Sequence, residues 1–167
     1  QDTKYVKHLR FRSDILSTWW GTDIYLGAIA LLPEGWGEHP DAHYPVIYNQ
    51  GHFPRTFGGL RDTPPDPAAS EPQKRQQAGA YRFYQDWAAG KMGRVIIVLI
   101  QHPTPYYDDS YAVNSANNGP YGDALWREFV PRVEKEFRGI PQGWARMTYG
   151  GSTGGWESLA WQIFYPD

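Results

Sequence analysis

The chain has no cysteine. That excludes a disulfide framework, a thiolate nucleophile and any cysteine-ligated metal, and it fits the cytoplasm and an oxidising, secreted or periplasmic compartment equally. It has no apolar run near the roughly 20 residues that cross a bilayer, so no membrane span is expected. There is no Asn-x-Ser/Thr sequon and no internal repeat. Positive charge is not concentrated: 16 Lys and Arg face 18 Asp and Glu, and the densest cluster is Lys74-Arg75. A nucleic-acid partner is therefore not expected. The first residue is Gln1 rather than Met, and no charged-then-apolar leader follows it, so the chain is expected to be a processed or excised form.

What is present is the composition of one globular domain over residues 1–167: 41% hydrophobic and 20% charged. Residues 1–22 read as a lead-in strand and turn, and 23–167 as the sheet core. Aromatic residues reach 16%, with eight Trp and twelve Tyr. Most are expected in the core. A minority could line a cleft for a sugar or an aromatic acyl group.

Strand-like runs occur at 4–13, 23–33, 44–51, 94–101 and 144–150. Ser13 and Gly21 bracket a short helical turn. The stretch 61–77 is polar and rich in proline, and reads as a surface loop. Residues 78–90 place Ala80, Tyr84, Trp87 and Ala88 at helical spacing, with Gly90 as the stop. Residues 102–119 read as a second long loop. Residues 120–139 read as a helix that Pro131 must kink or restart. Strands alternating with helices predict an α/β fold, a mostly parallel sheet with helices on both faces. In such sheets, sites form at the carboxyl ends of strands. Gly51 and Ser152 both fall there.

The most informative stretch is "YGGSTGGWESLAWQ", 149–162. Gly150-Gly151-Ser152-Thr153-Gly154 fits G-x-S-x-G, the pattern of a serine on a sharp strand-to-helix turn. The turn residue is strained, and glycine on either side, Gly150 and Gly154, removes Cβ atoms that would collide. The helix that follows, with Trp156, Leu159, Ala160, Ile163 and Phe164 on one face, offers free N–H groups and a positive dipole end beside Ser152. No Lys follows the glycines, which disfavours a phosphate cradle.

Three segments carry a family resemblance: "IALLPEGWGEHPDAHYPVIYNQGHF" (29–53), "SANNGPYGDALWREFVPRVEKEFR" (115–138) and "GGSTGGWESLAWQIFYPD" (150–167). In this order they resemble the esterase D-type branch of the α/β-hydrolases. The resemblance implies a partial α/β-hydrolase fold and a serine carboxylic-ester hydrolase acting on a small-molecule ester, such as a sugar or aromatic acyl ester, with no cofactor and no metal. It makes Ser152 the nucleophile, and makes the backbone N–H groups of His52 and Thr153 the oxyanion hole, with Phe53 as the alternative register. Two features depart from the family. Its His-Gly turn is Gln50-Gly51 here, a change that leaves a backbone donor intact. No His follows Ser152, so the triad acid and His are expected beyond residue 167, and the sheet is expected to lack its C-terminal strands.

The other candidates read more plainly. His52 and His102 follow buried strands and are weak candidates for a base. His39 and His43 flank Pro40-Asp41-Ala42 in a loop rather than on a helix, so they are not expected to hold a metal. Asp108-Asp109 with Asn114, Asn117 and Asn118 matches no calcium-loop spacing and reads as solvated. Glu134 and Glu136 read as surface residues. A non-catalytic glycan- or ligand-binding member of the same fold is the alternative to an esterase.

Overall fold

The computed structural model describes residues 1–52, 57, 59–106 and 109–166. Five strands form one sheet: β1 (Val6–Ser13), β2 (Ile24–Leu31), β3 (Val46–Asn49), β4 (Ile96–Gln101) and, later in the chain, β7 (Arg146–Tyr149). Their spatial order is β1-β2-β4-β3-β7. β2 pairs antiparallel with both neighbours, while β3 pairs parallel with β4 and β7. Four of the five strands therefore point the same way, and β2 alone is reversed. Between β4 and β7, β5 (Asn114–Ser115) and β6 (Gly119–Pro120) form a small antiparallel ribbon within the predicted second loop.

Helices cover both faces, as the alternation of elements predicts. The period-two side-chain pattern of the strands supplies two cores. On β4, Ile96, Val98 and Ile100 join one core, whereas Ile97 and Leu99 pack against the other. The first core is closed by α1 (Asp14–Trp20), by α3 (Tyr121–Ala124) continuing through a π-helical turn (Leu125–Phe129) into α4 (Val130–Phe137), and by α5 (Thr153–Phe164). The second is closed by α2 (Glu71–Ala88), whose Trp87 is buried and donates its indole N–H to Leu32 O at 2.8 Å. Pro131 lies in the first turn of α4, just after the π-helical turn, so the helix restarts around the missing N–H.

Two sequence expectations need correction. The 61–77 stretch is not all loop, because α2 begins at Glu71. Ser70 and Gln73 form a capping box, and Pro72 sits in the first turn where its missing N–H costs nothing. Glu134 is not a surface residue. It is buried and forms a two-pronged ion pair with Arg146 of β7, at 2.7 and 3.1 Å. This pair fastens α4 to the edge strand that leads into the glycine-rich corner. Among the described residues, no helix is long and apolar enough to cross a membrane.

Candidate functional site

β7 and β3 lie side by side and parallel, so their carboxyl ends open onto the same sheet edge. Beyond Tyr149 the chain turns through Gly150-Gly151 into α5, and Ser152 caps that helix. Its backbone has φ 53° and ψ −121°, a conformation in which a Cβ is unwelcome and which turns normally give to glycine. Ser152 is exposed, and its side chain makes no capping hydrogen bond. Its carbonyl accepts instead from Gly155 N at 3.0 Å and Trp156 N at 3.3 Å, which starts the helix.

The surroundings fix this strained turn. A Cβ on Gly150 would lie 2.4 Å from the carbonyl of Gly154, and a Cβ on Gly154 would lie 2.2 Å from Gln50 O. Both neighbours are backbone, so neither can swing aside. The same closeness carries the β3 loop to the corner, because a Cβ on Gly51 would contact Gly154 at 3.6 Å. Gly51 has φ 126°, which glycine accepts without strain. Gly51 thus packs beside Gly154, two residues past Ser152. The N–H of Thr153, first residue of α5, is one of the donors a helix start leaves without an internal acceptor. Phe53, the alternative register, lies outside the described residues.

A cleft of about 860 Å³ opens at this edge, lined among others by His52, Asp109, Tyr111, Asn118, Thr153 and Trp156. That volume suits a small molecule. Tyr111 and Trp156 pack edge to face in its lining, with ring centroids 6.2 Å apart. The aromatic surplus therefore divides: Tyr48, Tyr121 and Trp161 fill the core, and these two face the cleft. Tyr111 and Ala112, like Ser152, adopt positive φ, at 57° and 54°. Side-chain hydrogen bonds to the backbone hold them there: Asp109 Oδ1 accepts from Tyr111 N at 2.7 Å, and Ser110 Oγ from Ala112 N at 3.2 Å.

His52 lies at the cleft with Nδ1 3.2 Å from Asp109 Oδ2. His102 is wholly buried, with Nδ1 2.8 Å from Ser110 Oγ. These contacts are to Asp109 and Ser110, not to Ser152. Burial pushes the His102 pKa down to about 4 in spite of the Asp109 charge, so its ring is neutral at neutral pH. His39 and His43 are exposed loop residues, and His43 Nδ1 is 3.2 Å from Asp41 O. Asp109 is buried rather than solvated, a correction to its reading as part of an exposed loop; Asp108 lies outside the described residues. Asn114 is engaged with Asp123, both through its side-chain amide and from the Asp123 backbone.

The apolar spacing of α5 does not mark its buried side. The buried side carries Gly154, Glu157, Ser158, Ala160 and Trp161. Trp156, Leu159, Ile163 and Phe164 are exposed. Glu157 went unnoticed, yet it is fully buried with neither carboxylate oxygen in a hydrogen bond. Burial, and then the neighbouring Asp109 carboxylate, push its pKa up to about 8. The available signal was the helical period. Gly154 must face the β3 loop, so Glu157, three residues on, shares that face.

No family model matches the chain, and no curated protein matches it. Among solved structures, a ferulic acid esterase superposes with a TM-score of 0.57 at 18% identity, over 98% of this chain and 57% of that one. The likeness is one of fold, and this chain spans little more than half the length of that structure.

Proposed function

We propose that the protein is a serine hydrolase of carboxylic esters built on the α/β-hydrolase fold, with Ser152 as nucleophile. The observation that carries this reading is the Ser152 corner itself: a non-glycine residue at φ 53°, exposed at the carboxyl edge of the sheet, its hydroxyl left out of the helix cap. Strain of this kind, of about 1–3 kcal/mol, persists where surrounding structure enforces it, and it gathers at active sites. The fold shared with a ferulic acid esterase supports the same chemistry.

In this reading Ser152 Oγ attacks the ester carbonyl carbon, and its proton passes to a general base. The carbonyl oxygen takes up the negative charge and is held by the N–H groups of Thr153 and His52. The alcohol leaves with the proton returned by the base, and water then releases the acid from the acyl-enzyme. The general base and its acid partner are left unassigned among residues 1–167. The aromatic walls of the cleft, Tyr111 and Trp156, suit an aromatic acyl group or a sugar ring.

The test pairs a fluorophosphonate probe with release of acid from methyl ferulate and p-nitrophenyl acetate, on the intact protein and on Ser152→Ala. The expected outcome is labelling and turnover by the first and neither by the second. A folded intact protein that ignores the probe and all esters, yet binds a glycan or aromatic acid in the cleft, would establish the non-catalytic reading instead.

A further inference from the structure

Behind the cleft wall three side chains from distant parts of the sequence converge. His102 follows β4, Asp109 lies in the loop beyond it, and Glu157 sits on the inward face of α5. All three are buried, and one donor atom from each lies within 4.8 Å of the other two. The surroundings are built to hold them. Ser110 Oγ, 2.8 Å from His102 Nδ1, fixes the imidazole. Tyr111 N, at 2.7 Å, fixes Asp109 Oδ1, whereas Asp109 Oδ2 has His52 Nδ1 3.2 Å away but makes no hydrogen bond. Both Glu157 oxygens are likewise buried without a hydrogen bond, with the Asp109 carboxylate and the Gly51 N–H beside them.

We infer that His102, Asp109 and Glu157 form a binding site for one divalent transition-metal ion of the Zn²⁺ or Mn²⁺ kind. Two carboxyl groups and an imidazole are a ligand set that suits a divalent ion. Both Glu157 oxygens and Asp109 Oδ2 are buried without hydrogen bonds, and an ion between them would give these oxygens the partner that they lack. Donors around an ion with bonds of about 2.1 Å stand roughly 3–3.5 Å apart. Closing on an ion would draw donors that now lie within 4.8 Å of one another to that spacing. A nitrogen donor beside two carboxylates favours Zn²⁺ or Mn²⁺ over Ca²⁺, whose sites are all oxygen. His52 Nδ1 and Ser110 Oγ occupy the outer-shell positions that orient such ligands. The ion would tie the end of β4, the Tyr111 loop and the second turn of α5 into one unit behind the cleft. Its role is to position the cleft wall, not to touch the ester.

The sequence carries no hint of this site by spacing. Six residues separate His102 from Asp109, and 47 separate Asp109 from Glu157. Only the crossing of α5 over the loop after β4 unites them.

The test uses the intact protein, purified without metal-affinity resin, with metal content read by mass spectrometry. Chelator-stripped protein is then titrated with Zn²⁺, Mn²⁺ and Ca²⁺ by calorimetry, and its melting is followed with and without each ion. The expected result is about one Zn²⁺ or Mn²⁺ per chain and a melting temperature that falls on stripping and returns with the ion. Glu157→Gln, close to isosteric, should weaken that ion by at least about 10–100-fold. Glu34→Gln, which alters a carboxylate paired with Lys4 and Tyr5 elsewhere, should leave affinity unchanged. Absence of bound ion with melting indifferent to all three cations would overturn the proposal and make the cluster a carboxyl pair sharing one proton. Preference for Ca²⁺, or equal affinity in Glu157→Gln, would overturn it as well. If Glu157→Gln does not fold, the stripped wild-type measurement decides alone. None of these readouts depends on ester turnover, so the site stands or falls separately from the esterase reading.

Discussion

Two serines in this molecule hold the same formal position, the cap of a helix that follows a strand of the main sheet, and they use it in opposite ways. Ser13, between β1 and α1, has φ −86° and ψ 122°, is fully buried, and accepts from Leu16 N at 3.1 Å. It also donates to Glu128, whose other oxygen accepts from Ile15 N at 2.9 Å. That is a cap in its relaxed form, with the hydroxyl committed to structure. Ser152, between β7 and α5, has φ 53°, no capping bond and an exposed side chain. The first corner is stabilised by its serine. The second is held in place by its neighbours, and its serine hydroxyl takes no part in the cap.

The largest expected effect separates the two corners by activity. Under the esterase reading, Ser152→Ala should lower turnover by about 10⁴-fold or more, while Ser13→Ala leaves fluorophosphonate labelling of the folded protein unchanged. The comparison breaks if both variants lose labelling in step with folded fraction, because the two serines would then differ only in stability.

Next comes the packing that enforces the strain. Gly154→Ala puts a Cβ 2.2 Å from Gln50 O, so α5 and the β3 loop must part. A loss of about 3 kcal/mol is expected, with loss of probe labelling. Gly155→Ala is the control one residue on, where the nearest atom is at an ordinary 3.4 Å. The helical preference for alanine should make it neutral or slightly stabilising. Chemical denaturation of both variants checks the pair, and equal losses would show that the contact at Gly154 is not what holds the corner.

Ser13→Ala should cost about 2 kcal/mol, the sum of a lost cap and a Glu128 oxygen deprived of its donor. Denaturant midpoints read it directly. A loss below a few tenths would mean that the two serines are not so different in structural role.

These corners also show what the sequence made legible. Ser13, Gly21, the apolar runs of β2 and β4, and the glycines around Ser152 are local signals, each with a local cause, and each lies where its pattern predicts. The opening turns of α2 were missed because Glu71 to Gln77 carry no apolar spacing, and only the Ser70–Gln73 box marks the start. Glu134 was misread because its partner, Arg146, is twelve residues away on a strand. The buried side of α5 was not legible for a related reason. Trp156, Leu159 and Ile163 are exposed, because the backbone contact of Gly154 with the β3 loop decides which side turns inward. The same contact buries Glu157 beside Asp109 and His102, a convergence made by tertiary crossing that no spacing rule can anticipate.

The smallest effect is the most diagnostic of strain. Glycine adopts φ 53° with ψ −121° freely, because the clash there involves Cβ. Ser152→Gly should therefore recover part of the roughly 1–3 kcal/mol held in the turn, less the extra entropy glycine gives the unfolded chain, about 0.5–1 kcal/mol. A net gain of about 1 kcal/mol follows, which for a domain of this size raises the melting temperature by about 3 °C. The same change at Ser13 should lower it, since that backbone needs no glycine and the buried hydroxyl loses two partners. Ser152→Gly should fail to label with the probe, giving a chain more stable than the wild type and inert. Opposite signs at the two caps, read by calorimetry on both glycine variants, would tie the strain to the exposed hydroxyl. A destabilised Ser152→Gly would mean the corner is relaxed in solution, and the argument from strain to nucleophile would lose its foundation.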